Sequence, residues 1–260
     1  MLSNYRTLWI SDVHLGTNAC RAEDLIRFLT EVSADRIYLT GDIVDLEKMK
    51  TKAIFPDAHR NVLARFFQLA QSGTEVIYVP GNHDSQMREL AGKEIYGVPV
   101  MLEATHKMAD GRRLLVTHGD LLDPLIRQGT GLEQFGAAAY RMLVHLDVMI
   151  NQLRSRLGQD YVPVSSRIKR RLNSANEYIR RFEETAAEHA GARGYDGIVC
   201  GHIHRPCIRN IGETQYANDG DWVEHRSALI ESQTGALQIL QWKPAGCAIE
   251  TVPQASPLAA

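Results

Sequence analysis

The sequence predicts an α/β fold with a largely parallel core, an antiparallel C-terminal part and a helical insertion. Three patterns predict it. Five short runs rich in β-branched and aromatic residues, TLWIS, RIYLT, EVIYV, RLLVT and DGIVC, each end in a polar or glycine-containing turn. Amphipathic stretches separate the first three runs, which is the alternation of βαβ units. A stretch from about Leu121 to Ala190 keeps helical spacing and holds no strand pattern.

The first run is followed by RAEDLIRFLTEVS, where Leu25, Phe28, Leu29 and Val32 share a face at helical spacing. After RIYLT, the segment HRNVLARFFQLAQSG repeats the pattern with Leu63, Phe66, Phe67 and Ala70, and Gly73 marks its stop. In the insertion, Leu132, Phe135, Ala139, Leu143, Leu146, Ile150 and Leu153 form one stripe. Ile168, Leu172, Ala175, Ile179 and Phe182 form another behind a Ser165/Ser166 cap. DGIVC returns to the core. Past Gly212, TQYAND, SALIES and ALQILQW have no helix between them and read as antiparallel strands. The expected organisation is a core of residues 1–120 and 191–252, an insertion of 121–190, and a disordered tail, 253–260.

A chain of 260 residues is long enough for one large domain with a sizeable insertion. Its 44% hydrophobic and 23% charged residues are ordinary for a globular protein. A net charge of −2 argues against nucleic-acid binding through bulk charge, so no stable nucleic-acid partner is expected. Cys20, Cys200, Cys207 and Cys247 form no CxxC pair, so a disulfide framework is not expected. No apolar run reaches membrane length, and MLSNYRTLWISDVHLG enters a strand pattern directly. These features predict a cytoplasmic protein, with any membrane contact peripheral.

Polar residues of one chemical kind recur where the strands end. WISDVHLG offers Asp12 and His14, and YLTGDIVD offers Asp42 with Asp45 three residues on. YVPGNHDS offers Asn82, His83 and Asp84, LLVTHGD offers His118, and CGHIHRP offers His202 and His204. Singly, an Asp or Asn here could serve a turn. Together they load five strands at the end where open α/β sheets gather their functional residues. Along an extended chain, residues two apart point to one side, so Asp12 with His14 and His202 with His204 would project together. Imidazole, carboxylate and amide-oxygen donors suit Mn, Fe or Zn better than Ca or a thiolate site.

The order D-x-H, G-D-x-x-D, G-N-H-D, H, G-H-x-H resembles the calcineurin-like metallophosphoesterases. The resemblance implies a four-layer α/β/β/α sandwich with a helical cap insertion and two divalent metal ions, most simply Mn2+. It implies that Asp12, His14, Asp42 and His204 hold the first ion. Asp42, Asn82, His118 and His202 would hold the second, with Asp42 bridging. Two such ions would polarise a phosphoryl group and lower the pKa of the attacking water. His83 would stabilise the phosphoryl oxygens or protonate the leaving group, and Asp84 would orient its ring. Asp45 would serve as a supporting or helix-capping residue.

CGHIHRP followed by NDGDWVE, with a helical insertion after THGD, resembles the branch containing the UDP-2,3-diacylglucosamine diphosphatases. That implies cleavage of a nucleotide-linked lipid to a lipid monophosphate and UMP, with Asn82, His83, Lys169, Asn173 and His202 touching substrate. The best-known members of the branch carry arginine in place of His83 and glutamate in place of Asp45. Another phosphoester therefore stays open as substrate: a cyclic nucleotide, a nucleic acid or a phosphoprotein. A non-catalytic scaffold is the third reading, and the full ligand set argues against it. Between Arg141 and Phe182, nine basic residues face three acidic ones, a local charge of +6. That charge suits an anionic lipid or phosphate as readily as it suits a solvated helix face.

Overall fold

The computed structural model describes residues 3–127, 173–243 and 248–252. The chain divides into two compact units. One joins Met1–Asp120 to Ala187–Ala260, and the other is Leu121–Ala186.

The first unit opens with β1 (Ser3–Ile10), α1 (Ala22–Glu31) and β2 (Val32–Leu39). A one-turn helix α2 (Leu46–Met49), then α3 (Asp57–Gln71) and β3 (Glu75–Tyr78) follow. Helix α1 forms because Ala22, Leu25, Phe28 and Leu29 fall on one face and bury it. In α3 the buried stripe is His59, Val62 and Phe66, with Leu63, Phe67 and Ala70 only partly buried at its flank. Strands β1, β2 and β3 pair in parallel, as βαβ units must.

A short hairpin, β4 (Glu94–Ile95) and β5 (Val98–Pro99), leads to β6 (Ala104–Lys107) and β7 (Arg113–Val116). The second unit begins with a 3-10 turn and α4 (Asp123–Arg127). Helix α5 (Asn173–Ala192) precedes β8 (Gly197–Cys200), β9 (Cys207–Ile211) and β10 (Thr214–Asn218). Strands β11 (Ser227–Glu231), β12 (Leu237–Lys243) and β13 (Ala248–Val252) complete the described chain.

Two sheets result, ordered β13-β12-β11-β1-β2-β3 and β6-β7-β8-β10-β9. The first is apolar on both faces, by period-two alternation. Leu8, Ile10, Ile37, Leu39, Val76, Ala228 and Ile230 join the core shared with α1 and α3. Trp9, Tyr38, Ile77, Leu229 and Ile239 turn the other way and meet Ala104, Leu114, Val116, Val199 and Ala217 of the second sheet. The outer face of the second sheet buries Leu115, Ile198 and Tyr216 completely. In the last turns of α5, a side chain on Gly191 would come within 2.9 Å of Thr214 in β10. The layers are thus helix, sheet, sheet, helix.

Strands β11 and β12 pair antiparallel, as expected of the C-terminal part, and β10 departs from that arrangement. Strand β9 turns back at Gly212 (φ +59°) into β10. Strand β10 therefore inserts beside β8 and runs parallel to it. Strand β6 escapes an apolar-run search because its inward residues are Ala104 and a histidine, His106. The helices expected between Leu132 and Leu172, the Ser165/Ser166 cap and the 253–260 tail lie outside the described residues.

Candidate active site

The site lies in the loops leaving β1, β2, β3, β7 and β8. Those loops do not continue as strands. Asp12, His14, Asp42, His202 and His204 all have φ between +50° and +68°. Non-glycine residues adopt this left-handed region rarely, and clusters of them mark functional constraint. The side chains therefore converge through tight left-handed turns, not through the alternation of an extended strand. Backbone bonds lock the turns together: Asp12 N–H to Gly41 O, His14 N–H to Asp42 O and Gly201 N–H to His118 O, at 2.9–3.1 Å. Glycines allow the close approach. A side-chain carbon on Gly81 would fall 2.2 Å from Asp42 Oδ1, and one on Gly41 would fall 2.4 Å from the His118 ring.

Within this frame the carboxylates and imidazoles form one cluster. His204 Nε2 lies 2.9 Å from Asp12 Oδ1, and His14 Nε2 lies 3.7 Å from the same atom. Asp42 Oδ2 reaches both His118 Nε2, at 3.3 Å, and His14 Nε2, at 4.0 Å. Three groups of ligand atoms, Asp12/His14/His204, Asp12/Asp42/His118 and His14/Asp45/His83, each fall within a 4.8 Å span. His202 places its ring 5.3 Å from that of His118. Asn82 sits exposed in the loop after β3. Lys169 lies outside the described residues, and of Asn173 only its place as the first residue of α5 is described.

Burial opposes charge on these groups, and their mutual attraction overrides it. Burial raises the Asp12 carboxyl, but the His204 and His14 imidazoles beside it hold it well below the usual range. Asp42 is held low in the same way, by His118 and His14 against its burial. Burial lowers His14, yet Asp12, Asp45 and Asp42 lift it to about 10. His118 and His204 are likewise raised against burial, chiefly by Asp42 and Asp12 respectively. Protons thus sit where a cation would replace them.

The residues fit divalent metal ions. Asp12 Oδ1 and His118 Nε2 are buried without a hydrogen-bond partner among the described residues, which is costly unless such atoms are ligands. His118 Nδ1 bonds Thr40 O at 2.8 Å, which fixes the ring and leaves Nε2 for a metal.

His83 and its neighbours correct one expectation. Asp84 does not orient the His83 ring. It is fully buried, accepting from Ile43 N–H (2.8 Å), Gly81 N–H (2.6 Å) and the Tyr78 hydroxyl, and so pins the loops after β2 and β3 to each other. Burial, and then the Asp42 charge, raise its carboxyl. The carboxylate beside His83 is Asp45. Its Oδ1 lies 3.0 Å from His83 Nδ1, an ion-pair distance off the line of a hydrogen bond, and its Oδ2 lies 3.2 Å from His14 Nδ1. Asp45 also caps α2 by accepting from Lys48 N–H at 2.8 Å. Its carboxyl, raised by burial, is brought low by the bond to His14 and the imidazole of His83 beside it. The spacing of GDIVD placed Asp45 near the site, but only the fold shows it shared between two histidines. Sequence reasoning also missed Arg88, whose guanidinium holds both oxygens of Asp120 at 2.7–2.8 Å and ties the His83 loop to the segment after His118.

Fold and cluster define a metal-dependent phosphoesterase centre, a sandwich whose strand ends carry paired carboxylates and imidazoles. The chain belongs to the calcineurin-like phosphoesterase family, whose profile matches residues 5–206. It is similar to the UDP-2,3-diacylglucosamine hydrolase of Stenotrophomonas maltophilia (strain K279a), 28% identical over 242 residues, 86% of this chain and 93% of that protein. The protein of that name from Xanthomonas campestris pv. campestris (strain ATCC 33913) is 28% identical over 257 residues, covering 90% and 98%. That from Hamiltonella defensa is 26% identical over 219 residues, 79% of each chain.

Proposed function

We propose that this phosphoesterase cleaves the diphosphate bond of a UDP-diacylglucosamine-type lipid precursor, giving a lipid monophosphate and UMP. The observation that carries the reading is the likeness, over 79–90% of the chain, to relatives named for that substrate. The metal cluster supports hydrolysis of a phosphoester as such. Asp12, His14, Asp42 and His204 would hold one divalent ion, Mn2+ by preference, and Asp42, Asn82, His118 and His202 a second. Such ions, when bound, polarise phosphoryl oxygens and lower the pKa of water.

The chain's own groups supply the rest. His83 is about one-third exposed, and with Nδ1 turned to Asp45 its Nε2 is the nitrogen left to meet a phosphoryl oxygen. UMP is a good leaving group, so electrostatic stabilisation by His83 matters more than proton donation. Asp84 and Arg88 keep the His83 loop in register with the strand ends. Lys169 and Asn173 are the proposed substrate contacts from the insertion. None of the described helices is long and apolar enough to cross a membrane. The reading places the protein in the cytoplasm, reaching its lipid by peripheral contact.

The test is hydrolysis of UDP-2,3-diacylglucosamine with Mn2+, following UMP release. Activity should vanish with chelator, return with Mn2+, and be absent in Asp42→Ala together with bound metal. Cleavage of bis-p-nitrophenyl phosphate without cleavage of the lipid would overturn the substrate and keep the class. Full activity in chelated protein would overturn the metal centre.

A further inference from the structure

The NDG segment after β10 is buried with no evident part in the chemistry above. Asp219 is fully buried. Its Oδ1 lies 2.6 Å from Ser11 Oγ, and its Oδ2 has no hydrogen-bond partner among the described residues. Ser11 Oγ also lies 2.7 Å from Asp12 Oδ2 and 3.2 Å from Gly220 O. Asp12 Oδ2 receives His202 N–H as well, at 2.9 Å, which leaves Oδ1 as the oxygen beside His204 and His14.

The hydrogens must be counted. A serine hydroxyl carries one hydrogen and accepts through its lone pairs. Here two carboxyl oxygens stand at short distance from that one hydroxyl. Asp12 is a metal ligand and must be ionised, so it accepts. The Ser11–Asp219 contact then needs a second hydrogen, and only Asp219 can carry it. A charge on the fully buried Asp219 would also be costly, with the Thr40 hydroxyl the further side chain beside it. Burial raises the Asp219 carboxyl well above its ordinary range, in keeping with this count.

The packing shows that the contact is built. A side-chain carbon on Gly201 would fall 2.4 Å from Ser11 Oγ and 2.6 Å from Asp12 Oδ2. Asn218 Nδ2 donates to Gly201 O at 2.6 Å, and its Oδ1 accepts from Gly220 N–H at 3.0 Å. Ser227 Oγ donates to Asp219 O at 3.0 Å. The segment is thus anchored on the loop that carries His202.

We propose that Asp219 is a positioning residue of the metal centre: as a neutral acid it donates to Ser11, and Ser11 donates to Asp12 Oδ2, so that Oδ1 stays turned to the metal. This rests on the metal-centre reading above. Asp219 touches neither metal nor substrate. What the site requires of it is a hydrogen, not a charge.

The test is Mn2+ binding to metal-stripped protein, measured by titration calorimetry on wild type, Asp219→Asn, Asp219→Ala and Ser11→Ala. Asparagine keeps a donor in place without charge, so Asp219→Asn should bind within about threefold of wild type. Asp219→Ala and Ser11→Ala should bind about 10–100-fold more weakly, the usual cost of losing a partner of a metal ligand. Ser11→Ala removes only a hydroxyl and keeps the comparison if Asp219→Ala does not fold. The infrared difference spectrum of wild type against Asp219→Asn should show a protonated carboxyl band that only wild type carries. Asparagine binding as weakly as alanine, Ser11→Ala binding as tightly as wild type, or absence of that band would overturn the proposal. Failure of wild type itself to bind Mn2+ would overturn the metal centre instead.

Discussion

At the scale of single residues, Asp45 and His83 make one unit that is joined to the metal cluster through His14. The proposed ligand set leaves out His83, so His83→Ala should retain the bound metal, measured by elemental analysis, while kcat falls about a hundredfold, as for a lost transition-state donor. An emptied metal position in that variant would reassign His83 as a ligand. Asp45 touches His14 as well as His83. Asp45→Ala should therefore weaken metal binding and slow turnover together, by about 10–100-fold in affinity. The two substitutions share a partner and should not add. In a double-mutant cycle on kcat, Asp45→Ala should cost less in the His83→Ala background than alone. Full additivity would mean that Asp45 acts through His14 only.

At the scale of elements, α5 qualifies the charge read from the insertion. Arg180 pairs with Glu177 and Glu184, and Arg181 with Glu177, along one exposed helix face. A count that stops at Phe182 omits Glu184 and overstates the free positive charge. Exposed pairs at this spacing contribute a few tenths of a kcal/mol and make a solvated surface. The positive charge relevant to an anionic lipid then rests on basic residues outside the described ones, most densely on Arg167, Lys169, Arg170 and Arg171. Replacing these four by glutamine should raise KM for a diacylated substrate and leave hydrolysis of bis-p-nitrophenyl phosphate nearly unchanged. Equal loss on both substrates would show that they hold the fold, and no loss on either would show a solvated face.

At the scale of the whole core, the two sheets are tied by a buried polar group far from the metal cluster in sequence. Glu231 of β11 and His106 of β6 are both fully buried and lie 2.9 Å apart. Glu231 also accepts from Ala109 N–H at 2.7 Å and Thr7 Oγ1 at 3.1 Å. Burial raises the Glu231 carboxyl, but His106 and the Ala109 N–H bring it below the ordinary value. A carboxyl lowered on folding stabilises the native state above its unfolded pKa of about 4.3 and loses that contribution as pH falls through the lowered native value. Wild-type stability in urea should therefore drop below about pH 4.3, and Glu231→Gln should flatten that drop. Removing the partner outright, in Glu231→Ala, should cost about 3–5 kcal/mol, as for a broken buried pair. A cost below about 1 kcal/mol would show that the pair is dispensable.

The order of the five core strands with α1 and α3 between the first three, and the strand ends at which the polar cluster lies, were legible in the sequence. Each depends on local period or residue type: Leu25, Phe28 and Leu29 define α1 by spacing alone, and Asp12, His14, His202 and His204 stand out because no strand needs them. What required the tertiary structure is how the ligands converge, which carboxylate serves His83, and what the NDG segment holds. The left-handed φ of Asp12 and His14 comes with backbone bonds to distant loops, not from either residue's own preference. Asp84 is the sequence neighbour of His83 and Asp45 belongs to a distant motif, yet packing puts Asp45 at its Nδ1 and Asp84 beneath the backbone. Asp219 meets Ser11 across 208 residues of chain, and contacts at that separation follow from the way two sheets stack, which no local pattern encodes.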